Sequence, residues 1–191
     1  MTVTPETTEA TMLPRTFGDQ RMKVAFSPTV PPNLGSASAT FLNSALEVSC
    51  RLVKEGTTFR FTASETINEA AICEPAGAQA AGRDNYEATA TVFRFWDKKN
   101  PGKADPAGDA LFSALRVKGS PGVFVIRYTG KKWDEPWAAG DEYQAFVVAS
   151  DNWSMPDDPH EGYMKATVPL MVSNAEANGV VTASPMPSTV G

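Results

Sequence analysis

The stretch "YEATATVFRFW", residues 86–96, alternates with a period of two. Tyr86, Ala88, Ala90 and Val92 fall on one side, with Glu87, Thr89 and Thr91 on the other, the pattern of a strand with one buried and one polar face. The chain on either side repeats the pattern. "NSALEVSCRLV" (43–53) sets Leu46, Val48, Cys50 and Leu52 against Glu47, Ser49 and Arg51. "RMKVAFSPTV" (21–30) reads as a short strand ended by Pro28, and "TFRFTA" (58–63) as another. "VFVIRY" (123–128), "DEYQAFVVAS" (141–150) and "YMKATVPLMVS" (163–173) supply three more. The class this predicts is mainly β: a two-sheet sandwich or barrel.

One segment departs from the pattern. In "DPAGDALFSALRVKG" (105–119) Asp105 suits a helix N-cap, Pro106 the first turn and Gly119 the position past the end. Arg116 and Lys118 then fall where a helix dipole favours cations. Ala107 with Ala110, Leu111, Ala114 and Leu115 forms an apolar stripe. A helix of about 13 residues is marginal alone, so it must dock on one flank of the β structure. Pro121 and Gly122 then fit the centre of a type II turn. From residue 64 to 84 the pattern dissolves into small and polar residues, a length of irregular chain that points to a functional or interface-forming segment.

The chain has 191 residues with 17 basic and 22 acidic side chains, a net charge of −5. That balance opposes a protein built to grip nucleic acid. Residues 1–20 are rich in Thr, Glu and Pro and read as an extended arm; 21–180 form the domain and 181–191 a tail. With no signal-peptide pattern and no apolar run near 20 residues, the expectation is a soluble protein made in a cytoplasm.

Two cysteines are few for a secreted scaffold. Cys50 reads as a small buried hydrophobe, and pairing with Cys73 is the alternative. Two Cys and one His fall short of a structural metal site, so no metal or other cofactor is expected. No Walker, GxGxxG, GxSxG or HExxH pattern occurs, and nothing marks Cys73 and His160 as an activated nucleophile and base, so no catalysis is expected. The acidic stretch "SDNWSMPDDPHEG" (150–162) misses calcium-loop spacing and reads as a solvated loop. Trp133, Trp137 and Trp153 could form a sugar-stacking platform, the rival reading of a carbohydrate-binding module; as core or interface anchors they need no ligand.

In order along the chain, "KVAFSPTV", "FLNSALEVSC", "INEAAICEP", "GRDNYEATATVF", "GDALFSALRVKGSPGVFVIRY" and "WAAGDEYQAFVVAS" resemble the major tail tube protein family of long-tailed bacteriophages, especially those infecting actinobacteria. The resemblance spans roughly residues 21–180. It implies a β-sandwich with a flanking helix, and a structural virion protein of the tail. It implies six copies in a ring, with rings stacked into the tube that passes the genome. It implies tape-measure, tail-tip and tail-terminator proteins as partners, and double-stranded DNA in transit only. The loop around 54–85, including Lys54, Glu55, Glu65, Ile67, Glu69, Gln79, Arg83 and Asp84, would contact neighbouring subunits and rings, together with the arm. Glu47, Ser49, Glu87, Thr89 and Thr91 are expected to line the bore, with Arg51 as a compensating charge, because a polar, faintly anionic wall does not hold phosphates.

Overall fold

The computed structural model describes residues 16–69, 78–159 and 161–183, with the backbone alone at 67–69 and 78–81. In chain order the elements are β1 (Met22–Ser27), α1 (Ala39–Ser44), β2 (Leu46–Glu47), β3 (Thr58–Thr62), β4 (Thr66–Glu69), β5 (Ala78–Ala81), β6 (Asn85–Phe93), α2 (Ala110–Leu115), β7 (Pro121–Tyr128), β8 (Glu142–Ser150) and β9 (Lys165–Val180). Seven strands form one antiparallel sheet in the order β2-β1-β7-β8-β9-β6-β3. The fold is mainly β, with two short helices, as the alternation predicts.

The sheet closes on itself, and residues 46–53 close it. At one end Val48 N–H donates to the Val24 carbonyl (2.9 Å); at the other, Val53 N–H donates to Thr91 and Phe93 N–H to Arg51 (2.8 and 2.9 Å). This segment therefore crosses from β1 to β6. The predicted strand over 43–53 does not exist. Its first residues end α1, where the Ser38 hydroxyl accepts the Phe41 N–H. Only Leu46 and Glu47 pair with β1, and the chain then turns at 48–51. Glu47 Oε1 accepts the Ser49 N–H (2.7 Å) and Ser49 Oγ accepts the Val24 N–H (2.8 Å), fixing the corner. The corner keeps Val48 fully buried and turns Cys50, expected inside, out to solvent as a free thiol. Cys73 lies outside the described residues.

Inside the barrel, Val24, Phe26, Val92, Phe124, Phe146, Val148 and Val168 are buried together. Phe59 and Phe61 reach across from β3 to the rings of Phe124 and Phe146, with centroids 4.8–5.8 Å apart. A second cluster covers the outer face of β1, β7 and β8: Ala25, Val123, Val125 and Ala145 lie under Leu42 of α1 and Trp137. One alternating strand thus feeds two cores, which is why β7 buries six consecutive residues.

The second helix is shorter than its composition predicts. Residues 105–108 form a turn instead, in which Asp105 Oδ2 accepts the Gly108 N–H (2.6 Å). Asp109 begins α2, yet its side chain makes no cap bond. It faces inward, 2% exposed, and pairs with Arg94 through two contacts of 2.9 and 3.1 Å. Leu111 and Leu115 are fully buried and Ala110 and Ala114 half-buried, whereas Ala107 is exposed; Phe112, outside the predicted stripe, is also buried. Arg116 is the C-cap, and Lys118 pairs with Asp151 (2.8 Å) rather than with the helix end. The turn falls at 117–120, with Gly119 at φ +84°, and Pro121 and Gly122 already belong to β7.

Candidate assembly surfaces

The region expected to be irregular is a hairpin arm. β3 pairs with β6 from Thr58↔Thr89 to Thr62↔Asn85, and β4 pairs with β5 from Thr66↔Ala81 to Glu69↔Ala78, in the same register. Between them, at 63–65 and 82–84, Glu65 N–H donates to the Arg83 carbonyl (3.0 Å), and Ser64 Oγ donates to Asp84 Oδ1 (3.2 Å). The ribbon's strands pair with each other and with no strand of the barrel sheet. Small residues at 78–81 blur the alternation, so composition hid a strand that pairing reveals. Glu65, Arg83 and Asp84 sit exposed at the neck, and Lys54 and Glu55 are exposed in the turn before β3. Ile67, Glu69 and Gln79 lie on the ribbon.

The residues expected to line a bore fall into two groups. Glu87 and Thr89 lie on the outer face of β6, beside Arg60 and Thr58 of β3 and Pro169 of β9. Arg60 Nε donates to Glu87 Oε2 (2.9 Å), an exposed pair that leaves the face nearly neutral. Thr91 shares this side but is only 5% exposed, because its hydroxyl bonds the Gly56 carbonyl beneath the 54–57 turn (2.8 Å). Glu47, Ser49 and Arg51 belong instead to the barrel corner. Arg51 donates to the carbonyls of Glu47, Ala107 and Gly108, tying the corner to the turn before α2. Their polar atoms serve the fold.

The tryptophans do not form one platform. Trp137 is 3% exposed, with its ring edge-on to Tyr143 and the Arg127 guanidinium 5.3 Å above it. Trp153 stands edge-on to Phe112 (5.2 Å) beside α2. Trp133 sits in the β7–β8 loop, its N–H donating to Gln20 (2.9 Å). The Cys73–His160 pair lies outside the described residues.

A charged network absent from the sequence reading shapes that loop. Arg127, fully buried on β7, donates to Asp141 (3.1 Å) and to the carbonyls of Lys132, Glu135 and Pro136. Lys131 and the Ala138 N–H also reach Asp141 (2.5 and 3.0 Å). Burial alone would raise the Asp141 carboxyl, but the Lys131 and Ala138 hydrogen bonds and the two cationic charges outweigh it and hold it below the usual range. A lone arginine ending an apolar strand was the only sequence signal.

These features define a mainly β protein: a closed barrel, a hairpin arm, and polar clusters serving the fold. The sequence profile of the phage tail tube protein family matches residues 10–185. The chain belongs to that family, whose members are structural rather than catalytic components of the virion tail. A chain in the cryo-EM structure of the anti-feeding prophage (AFP) baseplate, 6-fold symmetrised, is similar over 86% of this chain and 96% of its own, at 14% identity and a TM-score of 0.49. No curated protein matches the sequence. Among the described residues no helix is long and apolar enough to cross a membrane.

Proposed function

We propose that six copies of this protein close into a ring, and that rings stack into the tube through which the phage genome passes. Family membership over residues 10–185 carries this reading. The fold supports it in two ways. The hairpin arm offers unpaired strand edges, which invite pairing with another chain. A head-to-tail contact between unlike surfaces closes into rings or continues as a filament, and a tube uses both.

In this arrangement the outer face of β3, β6 and β9 lines the bore, with Glu87 and Thr89 central. Thr58, Thr62 and the neutralised Arg60–Glu87 pair complete a wall without clustered cations. Such a wall releases few counterions from DNA and does not retain it. Lys54, Glu55, Glu65, Arg83 and Asp84, with the ribbon carrying Ile67, Glu69 and Gln79, meet neighbouring subunits. Tape-measure, tail-tip and terminator proteins contact the tube at its core and ends, and the chain is made in the host cytoplasm. Cryo-EM of tails, or of tubes grown from purified protein with tail-tip components, tests this. Six-fold rings with Glu87 facing the bore are expected. A chain absent from tails, or tubes with Glu87 on their outer surface, would overturn the reading or the bore assignment respectively.

A further inference from the structure

We infer that the tight hairpin at residues 95–105 is a socket for the acidic neck of the hairpin arm on a second copy of this chain. The inference rests on the tail-tube reading and names the contact that joins one ring to the next. Backbone bonds build the socket. Asp105 N–H donates to the Phe95 carbonyl and Asp97 N–H to the Lys103 carbonyl (both 2.9 Å), and Trp96 bridges Ala104. Asp97, the one carboxylate between Trp96 and Ala104, is taken up by the turn: it accepts the Lys99 N–H (2.8 Å) and the Asn100 side-chain amide (3.1 Å). Lys98, Lys99 and Lys103 are exposed, and none of them makes an ion pair among the described residues. Trp96 precedes them, 37% exposed, with the Arg94 guanidinium 5.0 Å from its ring centre. A half-open tryptophan beside unpaired cations has the make-up of a contact surface, an aromatic anchor with a charged rim.

Charge and position name the occupant. In a chain of net charge −5, the hairpin is a local excess of cations. The arm is the reverse. Glu65 and Asp84 are exposed at its neck, and no basic residue occurs between Arg60, already paired with Glu87, and Arg83. The neck leads straight into the first residue of β6, and the hairpin begins just past the last. The two therefore lie at opposite ends of one nine-residue strand, about 30 Å apart. A shift of one copy along β6 sets acid on base. An end-to-end two-fold contact would set like on like, and like charges repel. The pattern therefore selects the unlike, head-to-tail contact that continues from copy to copy. It also covers the lysines, so they offer no phosphate site to DNA in transit.

The test uses the full chain with Cys50→Ser and Cys73→Ser, adding Glu65→Cys with Lys99→Cys. Oxidised in concentrated solution at low salt, it should give a ladder of chains linked end to end on non-reducing electrophoresis. Linking should slow severalfold as salt rises. Either single cysteine variant should give only a trace of dimer. Dimers formed as readily from Glu65→Cys alone, or linking indifferent to salt, would overturn the proposal. In the unmodified background, Lys98→Glu with Lys99→Glu and Lys103→Glu should cut the fraction assembled onto tail-tip components severalfold, read by sedimentation. Glu65→Lys with Asp84→Lys should do the same, and all five changes in one chain should restore assembly. Unchanged assembly in both reversed variants overturns the contact, and so does no recovery in the combined one, which puts a different anion on the lysines. Electron microscopy separates the two readings. Linked copies without six-fold rings would sink the tail-tube reading alone, whereas tubes that grow unhindered from the reversed variants sink only this contact.

Discussion

Arg127 and Asp141 show how a single charge pair can hold a loop of this barrel. A buried cation with one partner removed costs about 3–5 kcal/mol, because the remaining charge is left unpaired in low dielectric. Asp141→Asn should therefore lower stability by that order, measured by urea unfolding at neutral pH. The sign with pH follows from the direction of the shift. A carboxyl held below its unfolded value of about 3.9 contributes stability above that pH and loses it as pH falls through the folded value. The gap between the two proteins should thus be full at pH 6 and close below about pH 4. Gly122 is a second sensitive position. A Cβ there would meet Phe26 Cε2 at 2.4 Å, inside the barrel core. Gly122→Ala should cost about 1–3 kcal/mol, the usual range for overpacking, read as a shift in the unfolding midpoint.

Among the elements, α2 and the hairpin arm have opposite duties. α2 has only six residues and cannot persist alone; docking holds it, through Leu111, Phe112 and Leu115. Phe112 also lies under the Arg94 guanidinium, 3.7 Å from its ring centre. Phe112→Ala should cost about 3–5 kcal/mol, the range for emptying a buried aromatic site. The arm should behave in reverse. Because β4 and β5 pair with no barrel strand, replacing residues 66–81 by a short Gly-Ser turn should leave the unfolding midpoint nearly unchanged while abolishing tube growth. Loss of folding would show instead that the arm belongs to the barrel.

For the whole molecule, the question is which wall the DNA meets. If the outer face of β3, β6 and β9 lines the bore, Glu87→Lys with Thr89→Lys lines each ring with cations. Tubes of that variant should retain short duplex DNA at low salt and release it as salt rises, while unaltered tubes should not bind it. Binding by neither would place the face elsewhere. Closure of the whole barrel also overrides local alternation. Residues 46–52 alternate as well as residues 86–92 do, yet one forms a nine-residue strand and the other a corner.

Local pattern by itself determined the β class, the positions of β1, β3, β6, β7 and β8, and the docked face carrying Leu111 and Leu115. Period-two burial and turn residues act within a few positions, so they are legible in one segment. Only tertiary structure decided the corner at 48–51, the arm and the buried Arg127. The corner needs hydrogen-bond partners from β1 and β6, about 25 and 40 residues away along the chain, and the arm needs a facing strand that small residues do not announce. Arg127 can stay charged and buried only because the loop that follows β7 folds back to set its carbonyls and Asp141 around the guanidinium, a conformation that no apolar periodicity announces.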